Sequence, residues 1–428
     1  MSIGRARVLV FFASASVLVL EILAGRLMAP YVGVSLETFT AIIGTILAGI
    51  ALGSAAGGRL ADRIDPRTLI GPALVLGGAL AWASLWLVAV LGPELGDEPP
   101  AIVLLAAVAF VAPAAVLSAV TPMATKLRLA SLEETGTVVG NLSAAGTSGA
   151  LFGTFVTGFV LVAALPTRPI VIALGAVLVV AGLGVTVAAS RRAPTLLTVV
   201  PLAAALGLAT VADNPCEFES AYFCGRVVED PDDPSLRILV LDNLRHAAVD
   251  LDDPTHLEFR YVRLIADVID AATDGPIDVL HVGGGGFTLP MWVEATRPGS
   301  TNLVLEIDDV LLDVARDDLG FVTGPDMEVR IGDARRALPD LPDDAFDVIV
   351  GDAFGGQAVP WHLTTTEFVA ELDRVLRDDG VYVMNLIDGG ANRFAEAQMA
   401  TLLDSFDHAA VLLPVGGVDD VPRNQVLY

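Results

Sequence analysis

The sequence predicts two folds in one chain. Residues 1–212 read as a multi-pass α-helical membrane domain of about seven spans, and 213–428 as an open α/β, Rossmann-like domain. Three observations lead there. Apolar segments of roughly 20 residues, the length that crosses a bilayer as helix, recur through the first half. Charge is divided between the halves: ten Arg and Lys126 against nine acidic residues in 1–212, a net of +2, and 14 Arg against 42 acidic residues in 213–428, a net of −28. In the second half, short apolar runs alternate with segments of helical periodicity, as in a parallel sheet covered by helices on both faces.

The apolar segments lie at about 8–28, 38–58, 69–92, 101–122, 137–164, 168–189 and 194–212. Gly and Ala recur in them, as in GTILAGIALGSAAGG, which lets helices approach closely. The first segment is too long for a signal peptide and lacks the small-residue cleavage pattern. The last is rich in Ala and contains Pro201. Basic residues sit at Arg5 and Arg7, at Arg59, Arg63 and Arg67, at Lys126 and Arg128, and at Arg191 and Arg192. These are the N-terminus and the loops after spans two, four and six. The loop after span three carries Glu94, Asp97 and Glu98 instead. Basic loops stay cytoplasmic. The expectation is therefore a cell-membrane protein with its N-terminus inside and, after seven spans, residues 213–428 outside.

Glu21 is an ionisable group in the first span, where charge is costly and marks function. A structural pair with Arg26, or a place near the interface, are the other readings. Cys216 and Cys224 bound the stretch CEFESAYFC just past the seventh span. In an extracytoplasmic segment such a pair can form a disulfide; two unpaired thiols are the alternative. With no His beside them they make a poor zinc site, and no metal is expected. The acidity of the second half reads first as a solvated face and second as a field that concentrates cations. Nucleic acid is disfavoured as a partner, because phosphate contacts need clustered Lys and Arg and Lys126 is the only lysine.

The second half opens with a small β element (213–253), followed by the core (254–428). Residues 236–250, LRILVLDNLRHAAVD, read as one or two strands. A helix at 254–273 carries Leu257, Tyr261, Leu264, Ile265 and Val268 at helical spacing. Strands are expected at 277–282, 302–307, 327–331, 346–351 and 380–386, and helices at 287–296, 309–318, 364–377 and 392–406. Ligands in such sheets bind at the carboxyl ends of the strands.

Residues 281–290, HVGGGGFTLP, end the first core strand and open a helix. Gly283, Gly284 and Gly285 let the backbone approach a ligand, with helix amides nearby. Glu306 closes the next strand in LVLEIDD, about 20 residues on, where a carboxylate accepts two ribose hydroxyls. Loop and acid together imply a nucleoside. Thr288 stands where a dinucleotide site needs its third glycine, which favours an S-adenosyl ligand over NAD. Asp333, in RIGDARRAL, is either an acceptor for an adenine amino group or the N-cap of the next helix. Asp352, in FDVIVGDAFGG, is either a general base toward an amine or a turn residue before Gly355 and Gly356.

The motifs LDNLRH, EFRY, GGGG, LEID, GDARRAL and FDVIVGDAF together resemble the spermidine synthase family of aminopropyltransferases over about 236–390. The stretch EILAGRLMAPYVGVSLETFTAIIG is similar to the membrane part of that family's membrane-fused branch. The resemblance implies a fold of the S-adenosylmethionine-dependent methyltransferase type. It implies a membrane-bound transferase of polyamine biosynthesis that passes an aminopropyl group from decarboxylated S-adenosylmethionine to a small amine or polyamine, and a homo-oligomer such as soluble members form. By the same resemblance, Gly283, Gly284 and Gly285 pass beneath the methionine-derived tail. Glu306 holds the ribose, Asp333 the adenine, and Asp352 deprotonates the amine. Tyr261 matches the tyrosine of the helix motif and faces substrate, and His246 stands where the family has a cofactor-binding glutamine.

Departures concentrate on the amine side. Gly286 and Gly355 occupy positions where the family carries aspartates, and Val262 and Arg263 replace a histidine and a glutamate. A buried ammonium without a carboxylate partner is costly. The nucleoside pocket is thus expected to be kept and the acceptor pocket altered. Two further readings stay open. One is a methyltransferase using intact S-adenosylmethionine, which brings its own carboxylate. The other is a transporter or sensor whose α/β domain binds a nucleoside or polyamine without turning it over. A nucleoside cofactor made inside conflicts with residues 213–428 lying outside, unless the seventh segment is not a true span, the membrane half delivers the ligand, or the outer domain does something else.

Overall fold

Ser2 opens the first helix: its hydroxyl accepts from the Arg5 amide at 3.4 Å and satisfies one of the free N–H groups of the first turn. The structure, a computed structural model, describes residues 2–129, 135–190, 196–412 and 423–428. The chain divides into the units Met1–Cys224 and Gly225–Tyr428, so residues 213–224 group with the helices. Arg191 and Arg192 lie outside the described residues.

The first unit contains α1 (Ile3–Val32), α2 (Leu36–Arg63), α3 (Ile70–Leu95), α4 (Pro99–Ser118), α5 (Val120–Arg128), α6 (Thr135–Val156), α7 (Val162–Ala164), α8 (Thr167–Ser190) and α9 (Leu196–Val211). A π-helical turn at Thr157–Leu161 joins α6 to α7. Helices packed against neighbours that are as apolar as lipid need close backbone contact, and glycines supply it. A side-chain carbon at Gly53 would lie 1.9 Å from the Ala115 carbonyl oxygen, so α2 and α4 meet backbone to backbone. Gly149 does the same for α6 against α1, where a side-chain carbon would lie 2.1 Å from the Phe11 oxygen. The outer faces remain apolar: Leu52 is 60 % and Phe159 77 % exposed.

Among the described residues, six segments rather than seven are long and apolar enough to cross a bilayer: Ile3–Val32, Leu36–Arg63, Pro66–Leu95, Pro99–Arg128, Thr135–Ala164 and Thr167–Ala189. The seventh expected span corresponds to α9, whose 16 residues reach only about 24 Å at ~1.5 Å per residue. Even so, α9 brings the chain back across the bundle. The Arg168 guanidinium, at the start of α8, donates to the Ala209 carbonyl near the end of α9 at 2.6 Å. The Arg26 guanidinium, late in α1, donates to the Ser220 and Ala221 carbonyls at 2.6 and 2.9 Å and to the Thr167 hydroxyl at 3.2 Å. Its carboxylate partner here is Glu219, at 3.9 Å. At the opposite end, Arg7 donates to Asn141, and Lys126 to Asp62 at 2.6 Å. The chain therefore leaves the bundle at the end away from its basic loops. β1 (Phe218–Glu219) lies there, and Cys216 and Cys224 are joined as a disulfide with Cα atoms 5.2 Å apart.

In the second unit, β2 (Cys224–Glu229), β3 (Leu236–Leu241) and β4 (Leu244–Asp250) run antiparallel. The stretch 236–250 is thus two strands, joined at Asp242, whose φ is +52°. The core follows as α10 (Arg260–Ala272), β5 (Asp278–Val282), α11 (Thr288–Thr296), β6 (Thr301–Glu306), α12 (Asp309–Asp318), β7 (Met327–Ile331), α13 (Ala334–Ala337), β8 (Phe346–Gly351), α14 (Thr366–Val375), β9 (Leu376–Asp388), α15 (Arg393–Leu402), β10 (Val411–Leu412) and β11 (Arg423–Leu427). The order across the main sheet is β10-β11-β9-β8-β5-β6-β7. Strands β9-β8-β5-β6-β7 are parallel, whereas β11 pairs antiparallel with β9. The sheet is therefore mixed, not parallel throughout, because the chain ends in a hairpin-like edge instead of another crossover. Alternate strand residues feed two cores. Val279, Val348 and Val350 pack under Ile265, Ile269 and Trp292, and Leu280, Ile349 and Met384 pack under Leu338, Phe368 and Leu372.

Candidate functional site

Strand order reverses between β5 and β8, the switch point at which open α/β sheets hold ligands. The loops leaving these two strands touch. The Asp352 amide donates to the Val282 carbonyl at 2.9 Å. Gly283 has φ +96°, and a side-chain carbon there would lie 2.7 Å from the Asp352 carbonyl oxygen. Only glycine serves at that position, on both counts.

A cavity of about 890 Å³ opens over this junction. Gly283, Gly284, Gly285 and Gly286 form one wall, and His246, Tyr261 and Asp352 face it from other elements. Of the residues singled out from sequence, these are the ones the fold gathers. The Tyr261 hydroxyl donates to Asp352 Oδ2 at 3.3 Å, and Asn385 Nδ2 donates to Oδ1 at 2.8 Å. Asn385 is held in turn by Asn424 at 3.0 Å. Burial pushes the Asp352 carboxyl up to about 7, against the pull of these two donors. Burial also raises the Tyr261 phenol well above its usual value, with the Asp352 charge adding to it. His246 is pushed down to about 4 by burial, so its ring is neutral at pH 7. His281, which also lines the cavity, is lowered to about 4 for the same reason and lies 3.0 Å from Asn302 Oδ1.

Glu306 ends β6 behind the glycine wall. Its Oε2 accepts from the amides of Gly284 at 2.7 Å and Gly285 at 3.3 Å, and its Oε1 from Asp308 at 2.9 Å. Burial raises this carboxyl and the amides oppose the rise. The acid thus sets the curvature of the loop. Asp333 lies at the end of neighbouring β7, away from the cavity lining. It caps α13, accepting from the Arg336 amide at 3.4 Å, and pairs with His362 at 3.2 Å.

Two features of the loop could not be read from sequence. Phe287 sits at φ +58°, a left-handed position that costs a non-glycine residue about 1–2 kcal/mol. Its buried ring stacks on Phe321 with centroids 4.2 Å apart, which holds it there. At Gly286, a side-chain carbon would lie 2.5 Å from Ala247 Cβ on β4. The carboxylate that the resemblance leads one to look for at 286 has no room, because β4 occupies its place. Sequence reading also missed Asn385, hidden inside the apolar strand YVMNLI.

Residues 258–402 match the family described as "Spermine/spermidine synthase domain". Within the C-terminal half, these residues are thus similar to a spermidine synthase domain. A polyamine aminopropyltransferase of Vibrio vulnificus is 34 % identical over 112 residues, which cover 26 % of this chain and 38 % of the relative. The eEF1A lysine and N-terminal methyltransferase of Danio rerio is 31 % identical over 144 residues, covering 31 % of this chain and 21 % of the relative. The chain thus spans well under half the length of either. Among solved structures, a probable spermidine synthase from Corynebacterium glutamicum aligns with 28 % identity and a TM-score of 0.46, over 49 % of this chain and 77 % of that one.

Proposed function

From the match of residues 258–402 to a spermidine synthase domain, we propose that this chain is a membrane-bound transferase that moves an aminopropyl group from decarboxylated S-adenosylmethionine to an amine. The amine nitrogen attacks the carbon beside the sulfonium. The C–N bond forms, the C–S bond breaks, and its electron pair returns to sulfur, releasing 5'-methylthioadenosine. The proton leaving nitrogen goes to Asp352. The leaving group is already activated, so the residues have only to bind, orient and accept a proton.

The observation that supports this reading is the Asp352 carboxyl, raised to about 7 by burial at the switch point and lining the same cavity as the bare glycine backbone. Tyr261 and Asn385 hold both its oxygens and aim it. A neutral His246 suits a cationic sulfonium, which an imidazolium would repel. We assign the ribose to Glu306, whose oxygens keep lone pairs beyond those given to the loop amides. The adenine end is assigned to Asp333 on the adjoining strand, which requires His362 to share its acceptor.

Methyl transfer from intact S-adenosylmethionine is the second reading, and the closed position beside Gly286 favours it, since that donor carries its own carboxylate. The products separate the two. The purified full chain, given both donors and a panel of amines, is expected to release 5'-methylthioadenosine and to lose this with Asp352→Asn. Release of S-adenosylhomocysteine alone would turn the assignment to methyl transfer.

A further inference from the structure

The second unit has 42 acidic residues against 14 Arg, counting from 213, yet its cavity is rimmed by cations. Arg245 from β4, Arg260 and Arg263 from α10, and Arg423 from β11 all line it. Elsewhere in the unit, most arginines sit in ion pairs, among them Arg237 with Glu229, Arg297 with Asp270, Arg330 with Glu328, Arg374 with Asp343 and Glu371, and Arg377 with Asp278 and Asp347. Among the described residues, Arg226, Arg336 and Arg393 do not, but they lie outside the cavity lining. Among the described residues, Arg245, Arg260 and Arg263 pair with no carboxylate. Arg245 lies over the Phe259 ring, 5.6 Å from its centroid. Arg263 spends one nitrogen on the Leu257 and Glu258 carbonyls, both at 2.8 Å. Arg260 is exposed, and its side chain makes no hydrogen bond among the described residues.

Two acids line the cavity as well, Glu258, 3.8 Å from His256, and Asp352, so the four arginines outnumber the carboxylates. A cleft with an excess of one sign of charge concentrates ligands of the other sign, and arginine forks suit carboxylate and phosphate. A diamine would meet three unpaired guanidinium groups on entering and no carboxylate at Gly286.

We infer that the acceptor is an amine that also carries an anionic group, a carboxylate or a phosphate, which Arg260, with Arg245 and Arg263, receives at the cavity rim while the amine reaches Asp352. This rests on the transfer reading above and narrows its substrate class.

The test is calorimetric titration of the full chain in detergent, with 5'-methylthioadenosine present, using three probes: 4-aminobutyrate, O-phosphoethanolamine and butane-1,4-diamine. At least one anionic probe is expected to bind about tenfold or more tighter than the diamine, or about 1.4 kcal/mol. Which anionic probe binds tells carboxylate from phosphate. Arg260→Glu is expected to remove that preference and to leave the affinity for 5'-methylthioadenosine unchanged. Tighter binding of the diamine, or binding of neither anionic probe, overturns the inference. So does a separate titration with S-adenosylmethionine, without 5'-methylthioadenosine, in which Arg260→Glu weakens that donor while the three probes bind as before, which would give the arginines to the donor's carboxylate. An anionic probe that binds but yields neither 5'-methylthioadenosine nor S-adenosylhomocysteine in a turnover assay would keep the charge assignment and refute the transfer.

Discussion

Asp352 shows how one residue is tuned by its surroundings. Burial raises its carboxyl to about 7, while Tyr261 and Asn385 favour the charged form and hold the rise back. As a base it must be ionised, so kcat/KM should climb as pH rises through about 7. Tyr261→Phe removes a donor to the carboxylate and should move that limb to higher pH; an unmoved limb would assign it to another group. Stability runs the other way. The folded carboxyl binds its proton more tightly than the unfolded one, whose ordinary value is 3.8. That contribution is complete below about pH 4 and is lost as pH rises through about 7. Asp352→Asn should therefore raise the melting temperature at pH 8 and hardly alter it at pH 4. Sequence pattern placed Asp352 at a strand end but not its partners. Asn385 lies within an apolar strand, and its role depends on β9 lying beside β8, which is a matter of strand order.

At the scale of the element, β4 and the glycine loop act as one wall. Gly286 is closed by Ala247, so Gly286→Asp should cost about 1–3 kcal/mol by overpacking. Adding Ala247→Gly should recover part of that loss and raise the affinity for butane-1,4-diamine; a double variant as unstable as the single one would mean that other atoms close the position. The loop itself was legible in sequence because glycines after an apolar run have few other uses. The backing of Glu306 against its amides was not, since it needs the register of β6 beside β5. The same holds for the arginine rim, assembled from β4, α10 and β11, whose extreme members, Arg245 and Arg423, lie far apart in the chain. In the helical unit, Gly53 binds α2 to α4, and Gly53→Leu should abolish the folded yield of the full chain.

At the scale of the molecule, the alternation of strands and helices and the apolar spans were readable because period and length carry them. The antiparallel strands β10 and β11 were not, being short and weakly patterned. The seventh crossing was overstated in length, yet α9 returns the chain to the end opposite the basic loops. We propose that the second unit lies outside, which requires the basic loops to be cytoplasmic and the short α9 to complete a crossing; the Cys216–Cys224 disulfide favours that side. A membrane-impermeant maleimide should label intact cells at these cysteines only after reduction. Labelling that requires permeabilised cells would place the unit inside.

A sulfonium nucleoside is proposed to lie against Gly283–Gly285 with its reactive carbon toward Asp352. A cryo-EM map of the full chain with 5'-methylthioadenosine tests it most directly. The nucleoside is expected in the cavity against the glycine wall and near Asp352, with its ribose at the edge of the loop that Glu306 backs. A nucleoside bound elsewhere, or a cavity left empty at saturating ligand, would contradict it.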